Sequence, residues 1–308
     1  MPKQRRWWLD YGLYVVLRLV GCILLAMPLE AALWLIRVLA SIACAVDHRH
    51  RQVALENLRQ SFPGVYTEEQ LHQLTAGVYQ HFGIMLLELL LIPRRMGSRR
   101  WREELVETFS PELRQALDSG RPILITTAHY GNWELTAFIL RFYGKIAHIV
   151  ARPMDNPFLD DMMTRFRECL GHKVLSKHGD LARMREILAA GGTLCTLADQ
   201  SAGHRGLFVD FFGRPASTHK VIAYLARRTR ALVLVGGAQS LGKPLKYTVR
   251  TTDIIDPDDY AKHPDPVFAI TQRMTHAVEK LIRFDPRQYL WLHQRWKYRP
   301  PVAKSAAA

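Results

Sequence analysis

The sequence predicts an α/β fold: a mixed β-sheet layered with helices, preceded by an N-terminal hydrophobic, membrane-associated helical segment. Three observations predict it. From residue 121 onward, short β-branched runs alternate with stretches of helical length, the alternation of a layered sheet. Before that, residues 13–46 are apolar with few interruptions: Arg18, Glu30 and Arg37. The last two strand candidates flank Gly242, Lys243 and Pro244, a hairpin signal that makes part of the sheet antiparallel.

The N-terminus carries Lys3, Arg5 and Arg6, then Trp7 and Trp8. The apolar stretch behind them is too long and too charged for a secretory signal. Cys44 after Ser41 loosely resembles a lipoprotein cleavage site, but the residue three before the cysteine is wrong. Residues 13–32 are long enough to span a bilayer, with Arg18 and Glu30 near the ends where they snorkel. A helix pair lying on or dipping into one leaflet fits equally well. The basic cluster and tryptophans place this end at a cytoplasmic interface.

Residues 51–59 have apolar Val53, Leu55 and Leu58 among polar neighbours, a short amphipathic helix ended by Phe62, Pro63 and Gly64. Thr67 with Gln70 forms a capping box for a helix that runs to about 91, before Pro93. Its apolar end, 84–92, lies in core or against lipid. Strands are expected at 122–128, 146–151, 193–198, 231–238 and 245–251, and helices at 132–143, 156–170, 180–190, 218–229 and 264–284. The domain reading is a membrane-associated segment over 1–46, an α/β domain over 47–300 and a tail over 301–308.

With 308 residues, 42 Lys+Arg against 28 Asp+Glu and a net charge of +14, the chain favours anionic partners. The basic residues fall in short clusters, including Arg94–Arg95, Arg99–Arg100, Arg227–Arg228 and Arg295 with Lys297 and Arg299, rather than in one tract. Interspersed clusters of this kind fit a solvated face or a membrane rim better than a nucleic-acid groove. Cys22, Cys44, Cys169 and Cys195 form no metal-ligand spacing, so free thiols and no metal are expected. There is no GxSxG elbow, no GxxxxGK(S/T) loop and no GxGxxG after a strand, which argues against a serine hydrolase and nucleotide chemistry. No cofactor is expected.

His129 and Glu134, in the run HYGNWE, follow the buried strand at 122–128. A lone His-x4-Glu is common by chance; the strand–turn–helix setting gives it weight. Asn132 is placed to cap the helix that follows. On a continuous helix the two side chains would diverge, but a turn at Gly131 lets the carboxylate return to the imidazole. An imidazole oriented by a carboxylate is a general base for a hydroxyl. Arg152, after the second strand, is expected beside the His129 strand end as an anion holder, or else paired with Asp155. Asp199 and Gln200 end another strand and join the same edge, or else form a turn. Phe208, Phe211 and Phe212 line an acyl-chain channel or pack in the core.

The run HYGNWE resembles the HX4D/E motif of the glycerolipid acyltransferase superfamily, and most closely the bacterial lipid A biosynthesis (late, secondary) acyltransferase family. Asn57, Leu58, Phe62 and Pro63 resemble that family's "NL…FP" stretch, and Arg152, Pro153, Asn156 and Pro157 its "RP…NP" loop. Asp199 and Gln200, with Phe208, Phe211, Phe212 and Gly213, look like its "DQ…F…FFG" stretch. Tyr289, Trp291, His293, Arg295 and Lys297 are similar to its C-terminal signature. The matches are co-linear over roughly residues 50 to 300.

The resemblance implies an inner-membrane enzyme facing the cytoplasm. It would move a fatty acyl group from acyl carrier protein or a coenzyme A thioester to a hydroxyl of a lipid A precursor, an anionic glycolipid. His129 and Glu134 are then catalytic; Arg152, Asn132, Asp199, Gln200, Phe211 and Phe212 are grouped as substrate-binding. Transfer is expected to be direct, with oxyanion donors among the backbone N–H groups near the motif turn. A different glycolipid or lysophospholipid acceptor is the first alternative. A non-enzymatic binder of anionic lipid or nucleic acid is a distant one, resting only on charge; no nucleic-acid partner is expected.

Overall fold

The computed structural model describes residues 6–95, 110–169, 171–176 and 180–300. Lys3, Arg5, Arg99, Arg100 and the tail at 301–308 lie outside them. The long apolar stretch folds as two helices, α1 (Trp7–Ala26) and α2 (Leu29–Val46). The break falls where Pro28 forces Met27 into an extended conformation, with ψ 153°. The outer faces carry exposed Trp7, Trp8, Leu13, Ile23, Trp34 and Ile42. The inner faces, at Leu24, Ala32 and Leu33, pack on Leu87.

Helices α3 (His48–Ser61) and α4 (Glu68–Arg95) follow. The capping box forms as expected: Thr67 N–H donates to Gln70 Oε1 at 2.9 Å, and Gln70 N–H to Thr67 Oγ1 at 3.3 Å. The helix does not stop before Pro93 but carries it in its last turn. By length and composition α1, α2 and the Glu68–Pro93 part of α4 each suffice to cross a membrane.

The central sheet holds β1 (Ile123–Thr127), β2 (Ala147–Ala151), β3 (Lys173–Ser176), β4 (Thr193–Leu197), β7 (Leu232–Ser240) and β8 (Tyr247–Ile255), in the order β3-β2-β4-β1-β7-β8. Five strands are parallel and β8 closes the edge antiparallel to β7, so the sheet is mixed. Helices α5 (Pro111–Asp118), α6 (Trp133–Phe142), α7 (Pro157–Glu168), α8 (Leu181–Ala189), α9 (Val221–Thr229) and α10 (Pro266–Phe284) cover it. Alternate residues of β1 serve opposite faces. Ile123 and Ile125 join Leu113, Leu135 and Phe138, while Leu124 joins Leu188, Ile222 and Leu281. Every residue of β1 is buried, as a strand covered on both sides requires.

Three features depart from the sequence reading. Strand β4 lies between β2 and β1, so β2 does not neighbour the His129 strand. The stretch around Phe211 is a β-hairpin of β5 (Leu207–Phe211) and β6 (Arg214–Thr218) outside the main sheet. Strand β3 and helix α5 were not anticipated.

Candidate active site

Parallel pairing of β1 with β4, in register from Ile123↔Thr193 to Thr127↔Leu197, ends both strands at the same edge. His129 follows β1 and Asp199 follows β4, at the carboxyl edge where open α/β sheets bind ligands. The two meet. His129 Nδ1 lies 2.9 Å from Asp199 Oδ1, and the His129 backbone N–H donates to Oδ2 at 3.1 Å. Asp199 is 5% exposed. Burial alone would raise its carboxyl, but the charge and hydrogen bonds of His129 outweigh it and hold it below the usual carboxylate range. With Nδ1–H donated to the aspartate, Nε2 is the basic nitrogen of the ring.

The chain reaches this position through a tight turn. Gly131 adopts φ +58°, and a Cβ there would sit 1.9 Å from the Ala238 carbonyl oxygen; only glycine fits. Gly131 N–H donates to Gln288 O at 2.9 Å and Asn132 N–H to Ala238 O at 3.0 Å. Tyr130 N–H is turned to Ala128 O, and Leu290 N–H donates to His129 O at 3.0 Å. The backbone N–H groups of residues 129–132 are therefore committed within the protein.

Glu134 begins α6 but does not take the place expected for it. It binds Arg167 of α7 in bidentate fashion, at 2.9 Å from Nε to Oε2 and 2.7 Å from Nη2 to Oε1. Trp133 Nε1 also donates to Oε1, at 3.2 Å. The carboxylate hydrogen-bonded to the His129 Nδ1 is Asp199, not Glu134. Trp133 stands edge-on to the imidazole, with ring centroids 5.0 Å apart. Cys195, on β4, is pushed up to about 12 by burial and by nearby Glu134, which leaves it a poor nucleophile.

The other predicted residues fall out unevenly. Asn132 holds the N-cap position of α6, but its side chain makes no cap; wholly buried, it donates to Glu88 Oε2 at 3.4 Å. Arg152 is exposed at the end of β2, with β4 between it and β1, and lies 3.8 Å from exposed Asp155. The cation next to the motif is Arg167, which the sequence reading missed. In the same loop Asn156 caps α7 through Phe158 and Leu159 N–H, and donates to Asp10 O at 2.8 Å, seating α1 on the domain. Gln200 follows Asp199, half-buried.

Phe211 and Phe212 are core residues, 1% and 6% exposed. Phe212 packs on Phe62 and Trp291, and Phe211 on Tyr289 and Trp296. Asn57 Nδ2 donates to the Trp291 and His293 carbonyls, and buried Arg295 binds Ser217 O and Thr218 Oγ1. The scattered motifs thus converge in the core on one side of the sheet. His293, held below its ordinary pKa by burial, accepts from Ser201 N–H at 3.2 Å.

On β5 and α10, Asp210, His276 and Glu279 bring ligand-type atoms within 4.8 Å of one another. Gln272 Nε2 already lies 2.9 Å from His276 Nε2 and also donates to Asp210 O; this group is a surface hydrogen-bond cluster.

Comparison with known proteins follows the same lines. The profile of the family described as bacterial lipid A biosynthesis acyltransferase matches residues 3–298. The chain is 27% identical over 272 residues to the lipid A biosynthesis lauroyltransferase of Escherichia coli (strain K12), covering 85% of this chain and 84% of that one. It is 29% identical over 258 residues to a lipid A biosynthesis acyltransferase of Haemophilus influenzae, covering 83% and 80%. It is also 30% identical over 141 residues to the phosphatidylinositol mannoside acyltransferase of Mycolicibacterium smegmatis, covering 44% and 46%. This chain belongs to the bacterial lipid A biosynthesis acyltransferase family.

Proposed function

We propose that the chain moves a fatty acyl group from acyl carrier protein or a coenzyme A thioester to a hydroxyl of a lipid A precursor, at the cytoplasmic side of the inner membrane. The observation that carries the chemistry is the His129–Asp199 pair at the carboxyl edge of β1 and β4. His129 Nε2 takes the acceptor hydroxyl's proton as that oxygen attacks the thioester carbonyl carbon. The tetrahedral intermediate collapses by breaking the carbon–sulfur bond, and the imidazolium returns the proton to the departing sulfur. An ester and a thiol result, with no acyl-enzyme; Cys195 is buried in the core with Ile125 and Leu135, away from an incoming thioester. Glu134 serves as the anchor of Arg167, held at 2.7 Å.

Membrane association is supported by the exposed apolar faces of α1 and α2, with Trp7 and Trp8 63% and 61% exposed behind basic Arg6. The test is acyl transfer by purified protein to a lipid A precursor, with both thioesters offered. His129→Ala is expected to lose roughly 10²–10⁴-fold in turnover; near-normal transfer by that variant ends the proposal. The partial match to a phosphatidylinositol mannoside acyltransferase favours one second reading, a different glycolipid acceptor. Offering both acceptors in competition separates the two.

A further inference from the structure

Helix α4 packs on the apolar hairpin through Leu87, and two of its side chains reach the catalytic turn. His81 Nε2 donates to the Gly131 carbonyl at 3.1 Å. Two helical turns further along, Glu88 is 1% exposed. It accepts from Asn132 Nδ2 at 3.4 Å, from Leu245 N–H at 2.7 Å and from the Tyr247 hydroxyl. These partners are an amide, a backbone N–H and a phenol, so the carboxylate is buried among neutral donors. Desolvating a carboxylate is costly, and an apolar residue of similar size would pack as well. The group sits where it grips residue 132, between His129 and Glu134. Asn132 in turn gives up its capping role to reach Glu88.

We propose that His81 and Glu88 are positioning residues for acyl transfer. Glu88 orients Asn132, His81 fixes the Gly131 carbonyl, and together they hold the turn that presents the His129 imidazole. The inference rests on the acyl-transfer reading of that turn. It makes α4 the part that joins the apolar hairpin to the chemistry: Leu87 faces the hairpin and Glu88 faces the turn.

The experiment measures kcat, KM for the thioester, the pH profile and a urea midpoint for the full chain. The variants are Glu88→Gln, Asn132→Ala, the double variant, His81→Ala, His81→Gln and His129→Ala. Glu88→Gln and Asn132→Ala are each expected to lower kcat by about 10- to 100-fold, the scale of a small misplacement of a reacting group. KM should stay within about two-fold and the pH profile keep its shape, since substrate binding and the base are untouched. Because Glu88 acts through Asn132, the double variant should be no slower than the worse single. His81→Gln keeps an N–H donor near the Nε2 position and should recover most of what His81→Ala loses.

Wild-type turnover by Glu88→Gln, or losses that multiply in the double variant, overturns the proposal while His129→Ala stays inactive. Should Glu88→Gln melt at once, the His81 pair decides alone: a glutamine no better than alanine overturns it. An active His129→Ala enzyme instead sinks the acyl-transfer reading beneath it.

Discussion

Asp199 binds His129 twice, through the ring Nδ1 and through the backbone N–H, so one buried carboxylate sets both the position and the tautomer of the imidazole. Asp199→Asn keeps the shape and removes the charge. Its turnover is expected to fall by about 10²–10⁴-fold, as when a positioned base is lost. The Asp199 carboxyl is held below the usual range in the folded chain. It therefore contributes stability that is present above the ordinary aspartate pKa and lost as pH falls through the lowered one. Urea melts across the acid range check this: the wild type should lose stability there by an increment that the asparagine variant lacks.

The Glu134–Arg167 pair is nearly sealed from water, with side-chain exposures of 7% and 16%. Removing one partner strands the other. Arg167→Ala is expected to cost about 3–5 kcal/mol in a urea melt, and the Glu134→Gln/Arg167→Met double variant much less. Arg152→Ala breaks only an exposed contact, worth about 0–1 kcal/mol, and should leave kcat within about two-fold. An Arg152→Ala enzyme that loses most of its turnover would restore the anion-holding reading of Arg152.

Gly131→Ala sets a side chain against the Ala238 carbonyl in a left-handed backbone. It is expected to abolish activity and to lower the melting temperature by more than His129→Ala does, which loses the ring's bond to Asp199 but leaves the turn intact. Circular dichroism melts of the two variants make the comparison.

Phe211→Ala tests whether the aromatic stretch is core or channel. As a core residue against Tyr289 and Trp296, its loss should cost about 3–5 kcal/mol in stability. The preference among acyl chains of different length should stay as in the wild type. A changed chain-length preference with little loss of stability would restore the channel reading.

The local signals in the sequence were strong where one residue run decides its own structure. The β-branched run ending at Ala128 gave β1, Thr67 and Gln70 capped α4, and residues 242–244 marked the β7–β8 turn. Helix α5 also had its signal, Ser110 as N-cap before Pro111, and it went unread. Strand β3 was hidden by its brevity and its polar edge residues, Lys173 and Ser176. Strand order is not a local property, so nothing in the runs themselves placed β4 between β2 and β1. The same limit governs the site. His129 and Glu134 stood out because they are close in sequence, but the partner of the imidazole is Asp199, brought there only by the pairing of β1 with β4. Arg167 sits on an amphipathic helix where nothing in its spacing distinguishes it from solvated neighbours.

The hydrogen bonds of Gln288 and Leu290 to the turn at Gly131 and His129 carry a consequence for biosynthesis. During translation the segment that braces the imidazole leaves the ribosome after every strand of the sheet has emerged. A nascent chain stalled after β8 would possess His129 and Asp199, yet not the segment whose backbone braces the turn between β1 and α6. The contacts of residues 288–290 to the turn thus form only after β8 has been made.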